Sequence, residues 1–388
     1  MPLAHIDIIV TGLVLSVIAG SYFMRRRGQL KGVRGPKADS FLLGVEYQLH
    51  LENYAAELRL KWTEEYGPTY KIPGCFGQNI LVTSDPRATY HVLHEHVIDY
   101  PPTNDFRHLF GLLFGESAIM VYGNDHKRHR RVLSPAFSIT HMKSFTPLFQ
   151  HHVTQLIAQW NATMKKGAET WDVIPWLHKV TLDIIGQSSF NYNFQALKDK
   201  PNELTEALRD FERSGASFSR VQTLKEAITR YGPQSIAAIQ ARCFPASIEK
   251  AAAKYFKLAS ERAKEMLEGS GLTLDDPQYK TELTGKEKDV LSVLVKANRA
   301  EHPQKQLTEH EVLSQVALLI QAGHHTTGYT LSWILYELAR HPEDQQKVYD
   351  EIRRVRENVS GALTAEDYDH LGNGWLGFCV LVCFPRKN

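Results

Sequence analysis

Ala322-Gly323-His324-His325-Thr326-Thr327 interrupts an apolar pattern of helical spacing that runs from about Glu309 to Arg340. Glycine disfavours a helix interior by about 1 kcal/mol relative to alanine, and paired β-branched threonines add a smaller penalty. A chain that places these residues in mid-helix, between good helix formers, breaks a local rule, and such breaks gather at functional sites. The residues by themselves leave two readings open. One is a functional turn; the other is a small-residue notch where a second helix crosses.

Outward from this helix the pattern stays helical. Residues 126–137, 141–165, 176–190, 202–214, 246–268, 288–299 and 342–358 carry helical spacing, as do 49–65, which end at Tyr66-Gly67-Pro68. Residues 69–72 and 79–83 are β-rich runs separated by a loop with Pro73, Gly74 and Gly77, which predicts a small hairpin. Ser84-Asp85-Pro86 is a helix-start signal. The polar stretch 269–288 reads as an exposed loop. The expected fold is one large, mainly α domain with a small β-sheet region.

Composition bounds the chemistry. With 388 residues, 43% of them hydrophobic, the chain can bury a large core. Its net charge of only +2, from 45 Lys+Arg against 43 Asp+Glu, gives bulk charge no case for binding nucleic acid. Cys75, Cys243, Cys379 and Cys383 form no Cys-x-x-Cys pair and are too few for a disulfide framework, which fits a reducing, cytosolic body. His91, His94, His96, His151 and His152 lack carboxylate or cysteine partners at set spacing, so surface histidines and no metal are expected there.

The uncharged run from Ile8 to Met24 is about 17 residues, the lower limit for a membrane-spanning helix. Arg25, Arg26 and Arg27 follow it, which places the C-terminal side in the cytosol. A cleaved signal peptide would carry its positive charge before the apolar run, so residues 1–24 read as an uncleaved single-pass anchor. Residues 25–40, with Gly35-Pro36 as a turn signal, read as a basic linker leaving the membrane surface.

Asn124-Asp125-His126-Lys127-Arg128-His129-Arg130-Arg131 forms a second constellation. On a helix His126 and Arg130 are four apart and share a face, where two donors suit a buried dianion. The alternative is a solvated basic face. A single-strand nucleic-acid platform would need interleaved aromatics, which the run lacks.

Together these features resemble the cytochrome P-450 family of haem-thiolate monooxygenases, in its fungal microsomal form. The resemblance is carried by the anchor, the basic linker, the His126-to-Arg130 helix with Pro135-Ala136-Phe137, and the Ala-Gly-x-x-Thr-Thr helix. Supporting it in order along the chain are Tyr66–Tyr70, Thr181-Leu182-Asp183-Ile184-Ile185-Gly186, Lys288–Ser292 and Leu338-Ala339-Arg340-His341-Pro342. It implies haem, with His126 and Arg130 on its propionates, Ala322 and Gly323 leaving room for dioxygen, and Thr326 and His325 as catalytic residues in proton delivery. It also implies an NADPH-dependent reductase partner, an apolar small-molecule substrate entering from the lipid side near 106–120 and 211–221, and attachment to the endoplasmic reticulum membrane. No nucleic-acid partner is implied.

Two departures from the family pattern stand out. His325 occupies the place of the usual acid before the threonine; histidine can also shuttle protons near neutral pH. The family's Phe-x-x-Gly-x-x-x-Cys-x-Gly ligand loop is not present, and Cys379 and Cys383 lack its glycine setting. Glu351-Ile352-Arg353-Arg354 matches the family's Glu-x-x-Arg literally but follows the long helix too soon. The expectation is a haem-monooxygenase-like domain over 41–371, incomplete at its C-terminus, followed by a divergent tail over 372–388. Such a chain would be inactive as written, or a non-catalytic, membrane-tethered helical binding protein.

Overall fold

A computed structural model describes residues 30–51, 56–165, 170–200, 202–215, 219–269, 289–357, 359 and 361–371. The anchor expected at 1–24, the start of the linker, the stretch 270–288 and the tail 372–388 with Cys379 and Cys383 lie outside the described residues. Among the described residues no helix is long and apolar enough to cross a membrane.

The chain is mainly helical. In order it forms α1 (Glu46–His50), α2 (Glu57–Tyr66), β1 (Thr69–Pro73), β2 (Asn79–Thr83), α3 (Pro86–Tyr90), α4 (Asn104–Phe114), α5 (Gly123–Leu133) and α6 (Ile139–Ser144). There follow α7 (Thr146–Lys165), α8 (Ile174–Phe190), α9 (Glu203–Gly215), α10 (Arg220–Tyr231), α11 (Gln234–Cys243) and α12 (Ser247–Gly269). The described chain closes with α13 (Val290–Ala300), α14 (Glu309–Arg340), α15 (Pro342–Glu357) and α16 (Ala365–Asp369).

Several expectations need correcting. The single helix over 49–65 is two, because Leu51 closes α1 and Ala56 precedes α2 at φ +66°, a left-handed conformation that no helix runs through. The helix over 141–165 breaks at Phe145; Pro147, which has no N–H to give, fits the first turn of α7 instead. The pattern over 126–137 is α5 followed by a tighter turn, Ser134–Phe137, with Pro135 at its start. Helices α4, α10 and α11 had no assignment in the sequence reading. By contrast, the hairpin forms with Thr69 opposite Thr83 and Ile72 opposite Ile80, and Asp85 caps α3 by accepting from the Arg87 and Ala88 amides.

The fold divides into two compact units. One comprises the chain to Leu113 together with Arg209–Tyr255; the other comprises Phe114–Leu208 and the chain from Phe256. In the first unit Val45, Trp62, Tyr70 and Ile72 bury one face of the hairpin, and Leu58, Ile80 and Val82 pack on it. Arg230 knits this unit, donating to Glu46 Oε2 at 2.5 Å and to Asp105 Oδ2 at 2.6 Å. In the second unit Leu156, Leu177, Val180 and Leu197 form one core cluster; Ala136, Phe145 and Val290 form another. Asp183, buried on α8, accepts from the Ala196 and Leu197 amides at 2.8 and 3.0 Å and so pins the turn that follows the helix.

Candidate haem-facing site

The second unit contains every residue singled out for cofactor binding or catalysis, on α5 and α14. Thr308 starts α14 with a reciprocal cap: its hydroxyl accepts from the Glu311 amide, and the Glu311 carboxylate accepts from the Thr308 amide at 2.8 Å. The same carboxylate grips the Arg128 guanidinium with both oxygens, and Arg128 also donates to the Gln306 carbonyl at 2.9 Å. His129, fully buried, lies 3.1 Å from Glu311 and 3.1 Å from the Gln315 amide nitrogen.

The proton positions follow from the partners. Gln315 Oε1 accepts from the Ala118 N–H, so the other amide atom is the nitrogen and donates to His129 Nδ1. His129 therefore carries its proton on Nε2 and gives it to Glu311, as a neutral ring; burial pushes its pKa down. Burial alone would raise the Glu311 carboxyl. Donors from Arg128, the Thr308 backbone and His129 outweigh that and hold it at about 2. The outcome is a buried, fully paired carboxylate that clamps α5 to the start of α14.

The clamp uses one face of α5 and leaves the other open. His126 and Arg130 are both exposed, and among the described residues neither takes part in an ion pair. Sequence reasoning missed Arg128 and His129, whose partner Glu311 lies more than 180 residues further along the chain. The only local signal was Thr308 and Glu311 at capping-box spacing.

α14 runs unbroken for 32 residues through the 322–327 hexapeptide. A β-carbon on Gly323 would stand 2.6 Å from Ile185 Cδ1, and one on Gly328 would stand 2.3 Å from His178 Cδ2. Both glycines thus admit α8 to close contact, and Thr181 of α8 bonds across to the His324 carbonyl at 3.0 Å. His324 is buried and donates from Nδ1 to the Ile320 carbonyl at 2.7 Å; burial first, then His325 and His178, push it down to about 3. His325 lies 4.5 Å, ring to ring, from His178. The crossing-notch reading is therefore the structure of this face, and Gly323 and His325 both stand on the α8 side of the helix.

Ala322 and Thr326 stand together on the exposed side. The Thr326 hydroxyl donates to the Ala322 carbonyl at 2.8 Å, the back-bond that helix threonines favour. The same side continues into Trp333 and Tyr336, which are 59% and 51% exposed, whereas Tyr329 packs edge-on against His178 of α8 at 4.6 Å.

Of the described cysteines, Cys75 is sealed in the first unit against Ala227 and Tyr231, and burial with the Glu46 carboxylate beside it pushes its thiol up to about 12. Cys243 is exposed. The Cys75 setting disfavours a thiolate. The first unit also holds a cavity of about 260 Å³, with Phe106, Leu109, Phe110 and Ile248 as its apolar lining. The His108–Glu249 pair, 3.0 Å apart, is part of its wall.

The cytochrome P-450 family model matches residues 37–372. Cytochrome P-450 monooxygenase 128 of Postia placenta is 32% identical over 337 residues, covering 84% of this chain and 60% of that protein. Cytochrome P-450 monooxygenase claW of Ampulloclitocybe clavipes is 28% identical over 356 residues, covering 90% of this chain and 62% of its own length. The match to cytochrome P-450 monooxygenase 205 of Postia placenta, 30% identical, covers 83% of this chain and 59% of that protein. The chain thus spans about three fifths of the length of these relatives.

Proposed function

The chain belongs to the cytochrome P-450 family, and on that premise we propose that it forms the haem-distal part of a monooxygenase that hydroxylates apolar small molecules. Electrons would come from an NADPH-dependent reductase, with residues 1–24 anchoring the chain in the endoplasmic reticulum membrane and the body in the cytosol. One observation carries the reading: Ala322 and Thr326 share the open side of a helix whose other side is packed shut against α8.

The residues on that side suit a flat prosthetic group. Ala322 adds only a methyl, and exposed Trp333 offers apolar surface further along the same side. His126 and Arg130, two donors on one face without a carboxylate partner among the described residues, suit a pair of propionates. Haem held by a thiolate supplies dioxygen activation when bound. Thr326 keeps a hydroxyl proton on the Ala322 carbonyl, from which a turn about χ1 can redirect it. His325, packed on His178, would support this chemistry from the α8 side rather than from the open face.

The axial donor does not fit among the described cysteines, since Cys75 is held protonated and Cys243 stands in solvent. Cys379 and Cys383 lie outside the described residues and lack the glycine setting of the family's ligand loop, so we propose that the stretch of sequence given binds haem without a thiolate and by itself turns over no substrate, acting at most as a membrane-tethered binding protein. The test is haem titration of the full chain, then reduction under carbon monoxide. Saturable binding, weakened at least tenfold by His126→Ala with Arg130→Ala, and a Soret band of ordinary, non-thiolate position are expected. A red-shifted thiolate-type band would overturn the missing-ligand proposal, and an affinity indifferent to both substitutions would overturn the propionate assignment.

A further inference from the structure

We propose a binding site for a borderline transition-metal dication, with zinc as its best-matched ion, formed by His91, Glu95 and His96 in the first unit. After α3 the chain makes a widened turn, His91–Glu95, closed by a bond from the His96 amide to the His91 carbonyl at 2.9 Å, five residues back instead of four. Such insertions cluster at functional sites. On a regular α-helix, residues five apart diverge by about 140°. Here the widened turn brings the His91 and His96 rings to 4.2 Å.

The donor geometry is close to that of a coordination shell. Ligand atoms of His91, Glu95 and His96 all lie within 4.8 Å of one another. His91 Nδ1 is 3.2 Å from Glu95 Oε2 and, facing a carboxylate, carries the proton. Two ligands about 2.0–2.1 Å from a tetrahedral zinc stand about 3.3 Å apart, so the pair needs almost no movement, only the passage of that proton to Nε2 or to solvent as the metal binds. The second shell is also in place. His96 Nδ1 lies 2.8 Å from Asp99 Oδ2, and a carboxylate can only accept, so Nδ1 holds the proton and the Nε2 lone pair is free. A carboxylate orienting a histidine in this way is the usual support of a zinc-binding imidazole. His94 takes no part, since it stacks on Tyr90 at 4.9 Å. Two imidazoles and one carboxylate are a donor set that zinc accepts with one position left for water. The carboxylates of Glu95 and Asp99 together would balance a dication. In sequence the histidines looked partnerless; the turn is what supplies their carboxylates.

The site belongs to the first unit and the proposed haem face to the second, and it can be tested without haem. The haem-free full chain is titrated with Zn²⁺ against a chromophoric chelator, and with Co²⁺ followed by its visible absorption. One equivalent at micromolar or tighter affinity is expected, with the intense cobalt bands of a tetrahedral site. His91→Ala with His96→Ala should abolish it, Glu95→Gln should weaken it at least tenfold with circular dichroism unchanged, and Asp99→Asn should weaken it about tenfold. His151→Ala with His152→Ala should leave it intact. Zinc binding no tighter than millimolar, or a site whose affinity survives the His91/His96 and Glu95 substitutions, would overturn the proposal.

Discussion

The two sides of α14 differ in almost every respect although they share one backbone. On the inner side, Glu311, Gln315, His324 and Gly328 are buried, the Glu311 and Gln315 side chains pair with α5, Thr181 of α8 donates to the His324 carbonyl, and the glycines mark where another helix comes within contact. On the outer side, Ala322, Thr326, Trp333 and Tyr336 face outward, and the threonine bonds only to its own helix. The hexapeptide is therefore two motifs interleaved at helical period. Gly323, His324 and Gly328 position the helix; Ala322 and Thr326 are what it presents. The inner side should respond to substitution in stability, the outer side in ligand affinity.

The largest effect is expected at Glu311. Replacing it with alanine strands Arg128 and His129 and removes the carboxylate half of the cap of α14, and breaking a buried pair in this way typically costs about 3 kcal/mol or more. The loss would be read as a lower urea midpoint with an unchanged slope. The pH dependence gives an independent check. Glu311 has its folded pKa lowered from 4.5 to about 2, so its contribution is fully present above pH 4.5 and is lost as pH falls toward 2. Glu311→Ala should flatten that part of the acid unfolding curve. A variant as stable as the parent at pH 7 would mean that the clamp does not hold the inner side.

The next effect is at the crossing itself. Gly323→Val places branched carbon where Ile185 already stands, and overpacking of this kind costs about 1–3 kcal/mol, against only a few tenths regained in helix propensity. Pairing it with Ile185→Ala should recover part of the loss, since touching residues are non-additive. If the two substitutions simply add in chemical unfolding, the glycine is not there for the contact.

How much of this was legible in sequence depended on the range of the interaction. The span of α14, the 69–83 hairpin and the Asp85 cap follow from periodicity and local capping chemistry, and they form as expected. The hexapeptide was visible as a break, but which glycine faces a neighbour depends on α8, which lies more than 130 residues earlier. For the same reason the basic run around His126 offered no way to tell Arg128, locked on Glu311, from Arg130, left open. The widened turn at His91–Glu95 left no signal in the sequence, because helical spacing assumes 3.6 residues per turn and one added residue rotates every later side chain by about 100°. Local rules thus found the elements and the break. Pairings across the core had to be seen.

The smallest effect, and the sharpest test of the contrast, is at Thr326. Valine has the same branched shape and nearly the same helix propensity, so Thr326→Val removes the hydroxyl and little else. The lost bond runs to the Ala322 carbonyl, which lies within the same helix, and such back-bonds slightly destabilise helices rather than support them. With no cross-helix partner for its hydroxyl and an exposed side chain, Thr326→Val should change unfolding free energy by less than about 0.5 kcal/mol, well below the Gly323→Val loss three residues away. A cost above about 1 kcal/mol would place the hydroxyl in the framework, and the outer side of α14 could then no longer be set apart from the inner one.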